Sequence, residues 1–277
     1  MSHFSKTQYD SFSTSYDSIN DIPIGRIMVP NVERLVKPYI KNARVLELAC
    51  GTGFHTQHLL DWGAASLVGV DVSQAMLEGA EAELRKQPAH EGKYRLMVQD
   101  CSAPFTVTDD NGDSLEGKFD LVFAAWLLNY APDLATMTEM FKNISKHLKS
   151  AGRFITILPH PEVDPMICVD NVNAQHRQGY GYRIEVRERL PEEGYLVHLY
   201  FDTVDPVVDF GNYYLPMTVH ERAARDGGMK GKLTWEEAKV PEDHDKLNSY
   251  MKEPIEKGYL DEWSKYPDFG ILVVEKE

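Results

Sequence analysis

Residues 45–56, VLELACGTGFHT, decide how the rest of the chain is read. The segment starts as an apolar run, takes an acid (Glu47) into what patterns as a buried strand, and breaks at Cys50-Gly51-Thr52-Gly53 into polar residues able to open a helix. Glycines at such a corner let backbone come close to a ligand, and a helix start offers free N–H groups to an electron-rich partner. A dinucleotide fingerprint needs G-x-G-x-x-G, whereas this stretch reads G-T-G-F-H-T. Thr56 stands where the third glycine would pack helix against strand beside a pyrophosphate, which argues against a nicotinamide or flavin enzyme.

The flanking sequence alternates. NVERLVKPYI (31–40) predicts a helix with Val32, Leu35, Val36 and Tyr39 on one face. A helix after Gly53 carries Leu59 and Leu60 and ends near Gly63, and SLVGVDV follows as a second strand. Ser73 caps the next helix, which turns Met76, Leu77, Ala80 and Leu84 inward before Pro88. YRLMVQD and FDLVFAAW are a third and a fourth strand. Asp133 caps a helix with Leu134, Met137, Phe141, Ile144 and Leu148 inward; Lys146, His147 and Lys149 suit its last turn, and Gly152 is expected to close it. RFITILP is the fifth strand, and the alternation implies a parallel, doubly wound α/β sheet. Beyond Pro159 the rhythm changes. YRIEVRERL and YLVHLYFDT flank PEEG as a hairpin, VVDFGNYYLP is a further strand of an antiparallel addition, and FGILVVEKE returns to the main sheet.

The 277 residues fit one large α/β domain. Acids outnumber bases 43 to 29, and the net charge of −14 argues against a phosphate-backbone partner, so no nucleic acid is expected. No apolar stretch reaches a membrane-spanning length, and the N-terminal residues lack the core of a signal peptide, so a cytoplasmic protein with no membrane partner is expected. Cys50, Cys101 and Cys168 are dispersed and odd in number, fitting neither a disulfide framework nor a metal site; no metal is expected.

Asp71 ends the second strand 18 residues after Gly53, where an acid accepts from both hydroxyls of a ribose. Asp100 ends the third strand at the same edge, where a carboxylate can accept from an exocyclic amine. Three acids at consecutive strand ends suit an adenosine ligand bearing an amine and positive charge, and repel phosphates.

VLELACGTG, VGVDVSQAML, VQDCSAPF and FDLVFAAWLLNYAPD together resemble the class I S-adenosylmethionine-dependent methyltransferases over about residues 9–160. The resemblance implies a mostly parallel, seven-stranded Rossmann-like sheet and S-adenosyl-L-methionine as cofactor. Glu47, Gly51 and Gly53 would then wall the methionine arm, with the Ala49 carbonyl facing its amine. Asp71 would hold the ribose, Val72 and Met76 would sandwich the adenine, and Asp100 with the Cys101 backbone would read its edge. The Ala125 carbonyl would face the amine near the sulfonium. Tyr9 and Tyr16 share a helical face in QYDSFSTSYDSI. In similar methyltransferases such segments cover the cofactor with tyrosine hydroxyls on its carboxylate; an aromatic stripe packing a leading helix is the alternative. The opening segment, YDSFSTSYDSINDIP, also resembles the fungal gliotoxin-type bis-thiomethyltransferases, which methylate both thiols of a reduced dithiol diketopiperazine.

These readings divide the chain into a lid (1–30), a cofactor-binding core (31–160 with about 232–277) and an acceptor-side addition (161–231). A small-molecule acceptor would lie against Trp126, Tyr130, Phe210, Tyr213 and Tyr214, aromatics suited to a flat apolar compound. His160, after the fifth strand, is the candidate base, or else a surface histidine between two prolines. Oxygen or nitrogen acceptors, and a non-catalytic S-adenosylmethionine sensor, are the competing readings.

Overall fold

The computed structural model describes residues 13–277, with side chains from Asp17 onward. Three helices lead in: α1 (Ser13–Asp21), α2 (Pro23–Arg26) and α3 (Met28–Ile40). Val29, Val32, Val36 and Ile40 bury one row of α3. The sequence expectation placed Tyr39 on that face, but Tyr39 is exposed and carries the Arg153 guanidinium 3.5 Å from its ring centroid.

β1 (Arg44–Leu48), α4 (Phe54–Asp61), β2 (Ser66–Asp71), α5 (Gln74–Leu84), β3 (Tyr94–Val98), β4 (Phe119–Ala125), α6 (Leu134–His147) and β5 (Leu148–Pro159) then alternate. The caps are those the sequence predicts: Ser73 Oγ accepts from the Met76 N–H, and Asp133 from the Thr136 N–H. The close of α6 differs. His147 is buried as a neutral acceptor, its Nε2 taking the Val107 N–H at 3.1 Å, and the chain passes straight into β5. Gly152 lies inside that strand, where a Cβ would meet Leu148 Cδ2 at 2.8 Å; packing, not capping, requires the glycine.

The second half comprises α7 (Pro165–His176), β6 (Arg183–Arg189), β7 (Tyr195–Phe201), β8 (Val208–Tyr214), α8 (Met217–Asp226), β9 (Leu233–Glu237), α9 (His244–Asn248), α10 (Asp261–Lys265) and β10 (Phe269–Glu275). Seven strands form one sheet in the order β3-β2-β1-β4-β5-β10-β9. The five from β3 to β5 are parallel, and β10 is antiparallel to both β5 and β9. β6, β7 and β8 form a separate antiparallel sheet. Helix α8, inside the segment read as acceptor-side, packs back on α6: a Cβ on Gly227 would lie 2.3 Å from Phe141 Cβ.

The strand order reverses between β1 and β4, and open α/β sheets bind ligands at the carboxyl ends of strands flanking such a reversal. Because β10 runs antiparallel, with Phe269 opposite Pro159, its first residue lies at that same edge.

Candidate active site

Both connections at the reversal carry non-glycine residues in the left-handed region: Ala49 after β1 (φ 54°) and Trp126 after β4 (φ 61°). Such backbone persists only where its surroundings fix it, and it concentrates at ligand sites. The two corner glycines do different work. At Gly51 (φ 55°) a Cβ would meet nothing within 4 Å, leaving a cradle at the strand end; at Gly53 (φ 84°) it would press on Ala80 Cβ at 3.2 Å, so that glycine serves helix packing.

Glu47 is buried beneath the corner and accepts from Thr56 Oγ1 at 2.6 Å. The residue that breaks the dinucleotide fingerprint is therefore the hydroxyl that holds this acid. Burial, with the charge of Asp71 nearby, pushes the Glu47 carboxyl up to about 8. Asp71 accepts the Gly51 and Ser73 N–H groups, each at 2.9 Å, tying the end of β2 to the corner and to the cap of α5. Val72 beyond it is exposed, whereas Met76 is turned into the core. Asp100, half-buried, accepts from the Ser102 N–H and hydroxyl. Cys101 is buried and its carbonyl is taken by Asn143 Nδ2. Ala125 is the last residue of β4. From above, Asp17 of α1 accepts from Thr52 Oγ1 at 2.5 Å, fastening the leading helix to the corner. Tyr9 lies outside the described residues, as does the side chain of Tyr16.

An open cradle lined by carboxylates fits S-adenosylmethionine: a cationic amine offsets the cost of ionising a buried acid, and paired hydroxyls need acceptors. Glu47, Gly51, Asp71 and Asp100 would hold it.

At the connection after β4 lies a cavity with about 550 Å³ of atom-free space, its mouth included. Ile19, Ile22, Ile24, Gly25 and Met28 of the leading helices form one wall, Trp126 and Tyr130 another, and Leu199, Phe201, Phe210 and Asn212 of the antiparallel sheet a third. Tyr182, Asp268 and Phe269 complete it. Trp126, Tyr130 and Phe210 are thus brought together. Tyr213 and Tyr214 are not. They line a smaller cavity with His160, His220 and Cys168, because Tyr213 alternates to the far face of β8 and the strand has left the first cavity at Tyr214. His160 is removed from the first cavity as well: its Nδ1 pairs with Glu162 at 3.2 Å and its ring packs on Tyr266, while burial lowers its pKa.

The sequence reading missed Asp268, Tyr182 and Asn212. Asp268 is buried, accepts from Trp263 Nε1 at 2.9 Å and from Tyr182, and is pushed up to about 6 by burial. Its signal was an acid directly before the apolar strand FGILVVE, legible only with the strand's direction in hand. Asn212 Oδ1 accepts from Asn129 Nδ2 at 2.7 Å. Among the described residues no group of His, Cys, Asp or Glu could hold a metal ion, and no helix is long and apolar enough to cross a membrane.

Residues 45–152 match the methyltransferase-domain family. The chain is 33% identical over 122 residues to a malonyl-[acyl-carrier protein] O-methyltransferase of Magnetococcus marinus, covering 43% of this chain and 40% of that protein. It is 29% identical over 154 residues to an uncharacterized protein of Haemophilus influenzae, covering 55% and 57% of the two. The chain thus spans about half, or less, of the length of these curated relatives. A methyltransferase structure from Mesorhizobium loti superposes with a TM-score of 0.58 at 15% identity (93% of this chain, 99% of that one). One from Clostridium acetobutylicum gives 0.56 at 21% identity (96% and 98%). Both are S-adenosylmethionine-dependent. The match over residues 45–152 and these superpositions give the chain the Rossmann-like fold of S-adenosylmethionine-dependent methyltransferases, with S-adenosyl-L-methionine as the implied cofactor.

Proposed function

We propose that the protein transfers a methyl group from S-adenosylmethionine to a small, largely apolar acceptor, and that the accepting atom is a thiol sulfur of a reduced dithiol diketopiperazine. The observation that carries the reading is the cavity walled by Trp126, Tyr130 and Phe210, at the same carboxyl edge of the sheet as the glycine corner. S-adenosylmethionine supplies a methyl already activated on a sulfonium. What remains for the protein is to hold the acceptor about 3 Å from that carbon, in line with the leaving sulfur, and to keep water out. The rigid wall of Trp126, Phe210 and Phe201 suits the first task, and the cover of Ile19, Ile22 and Ile24 the second.

An apolar lining whose single acid is Asp268 favours a neutral acceptor. Malonyl and RNA-cap groups are the acceptors named for some relatives, but an anionic acceptor here would meet Asp268, and RNA would meet a net charge of −14. A thiol is partly ionised near neutral pH and reacts with modest help. Cys50, Cys101 and Cys168 are buried free thiols, which fits a reducing compartment, and we assign the activity to the cytoplasm.

The test is a panel of reduced dithiol diketopiperazine, phenol and amine acceptors with S-adenosylmethionine, read by mass spectrometry. The expected product is methylated at sulfur. Turnover of a phenol or amine with no methylated sulfur would reject the thiol and keep the methyltransferase.

A further inference from the structure

Three features of the chain compete for the proton that the acceptor must lose. His160 faces the other cavity and is paired with Glu162. Glu47 is engaged by Thr56 beneath the cofactor corner. Asp268 alone combines a buried carboxyl with a place in the wall of the acceptor cavity. Its position follows from topology. β10 is antiparallel to β5, so the residue just ahead of it emerges at the carboxyl edge, two strand spacings or about 10 Å from β4. Phe269, its neighbour, packs edge-on against Trp126, which begins the connection after β4.

We propose that Asp268 is the catalytic base of the reaction: its carboxylate hydrogen-bonds the acceptor S–H and removes that proton as sulfur attacks the methyl group. This rests on the methyl-transfer reading above. The step balances. A sulfur lone pair forms the new S–CH3 bond, the methyl–sulfonium bond breaks, and its electron pair stays on the cofactor sulfur, giving neutral S-adenosylhomocysteine. The thiol proton moves to Asp268 and from there to water before the next turnover.

The surroundings of Asp268 suit the task. Trp263 of α10 and Tyr182 ahead of β6 donate to it and fix its orientation. The other titratable groups that feel it are Cys168 of α7 and Tyr214 of β8, both protonated neutral groups whose ionisation burial opposes. No cation is among these partners, so nothing stores the carboxylate as a permanent ion pair. Burial brings it to about 6, ionised at neutral pH yet basic enough to accept a proton.

The test uses Asp268→Asn in the full chain with a reduced dithiol diketopiperazine. A free thiol of pKa about 8.5 is only about 3% ionised at pH 7, and an apolar pocket lowers that further. The variant should therefore lose at least about thirtyfold in kcat at pH 7, with affinity for S-adenosylhomocysteine unchanged. Its rate should climb nearly tenfold per pH unit above pH 7 and level off near the thiol pKa of about 8.5, a range over which wild type is flat. Trp263→Phe supplies an independent arm: losing the Trp263 hydrogen bond raises the carboxyl pKa, so the acid limb of kcat/KM moves to higher pH. Asp268→Asn within threefold of wild type at pH 7, or an unmoved acid limb in folded Trp263→Phe, overturns the base. A wild-type protein that binds no S-adenosylhomocysteine overturns the methyltransferase reading itself.

Discussion

At the scale of single residues, the corner after β1 separates constraint from recognition. Gly53 is glycine because Ala80 leaves no room; Gly51 borders open space, and the Asp71 carboxylate pins its N–H. Thr56 was legible only as a missing glycine, since a sequence does not say that position 56 of a helix reaches back to a buried Glu47 on the preceding strand. His55 is buried edge-on to Phe123 with both ring nitrogens unpartnered, and burial lowers it to about 3, so it stays neutral at physiological pH. The residue that tests the cofactor assignment is Asp71. Asp71→Ala removes a charged acceptor from two ribose hydroxyls and should weaken S-adenosylhomocysteine binding by roughly 1.5–3 kcal/mol. Calorimetry on the variant, its fold checked by circular dichroism, decides the matter: unchanged affinity removes Asp71 from the ribose.

At the scale of elements, the leading helices cover the site through contacts no periodicity reveals. Asp17 of α1 meets Thr52 at the corner, and Asp21 at the end of α1 pairs with Arg26 of α2 and Lys252 of the C-terminal segment. Burial opposes ionisation of Asp21, but the hydrogen bonds from Lys252 and Arg26 win and hold its carboxyl below the usual range. The tight turn from α1 into α2 depends on Gly25 within α2, where a Cβ would fall 2.2 Å from the Ile19 carbonyl oxygen. Gly25→Ala should therefore displace α1 while leaving the sheet intact. Amide exchange over residues 13–26 should quicken, and slowing by S-adenosylhomocysteine should shrink relative to wild type. Exchange and ligand protection equal to wild type would show that this turn does not hold the cover. The parallel strands and capped helices were readable because each repeats a local rule: an apolar run, a cap, a facing row at helical spacing. Helix α7 and strand β9 were not, since the buried row of "PMICVDNVNAQH" (Pro165, Cys168, Val169, Val172) is blurred by the exposed Ile167 on another face, and β9 is a half-buried edge strand whose pairing with β10 is a long-range fact.

At the scale of the whole molecule, the cavity joins residues separated by most of the chain, from Ile19 to Phe269. Trp126, Tyr130 and Phe210 were foreseeable as aromatics near an active edge; Asp268 was not, because its placement needs the reversed direction of the last strand. One donor site and one cavity also constrain how two sulfurs of a single substrate can be methylated. Only one thiol at a time can stand in line with the sulfonium and within reach of Asp268, so the second transfer requires fresh S-adenosylmethionine at the corner. It also requires the monomethylated compound to turn over within the cavity or leave and rebind. Once capped, the first sulfur has lost its proton and its charge, which fits it to the apolar wall of Phe201 and Phe210, while the remaining S–H still needs the carboxylate. A time course with limiting enzyme and excess dithiol, followed by mass spectrometry, should show the monomethyl product rising first and then falling as the dimethyl product grows. Dilution with fresh dithiol midway should hold back the dimethyl product if the intermediate leaves the cavity between steps. A dimethyl product appearing from the first turnovers with no monomethyl phase would mean that the monomethylated compound stays in the cavity and turns over there while S-adenosylhomocysteine is exchanged for fresh S-adenosylmethionine.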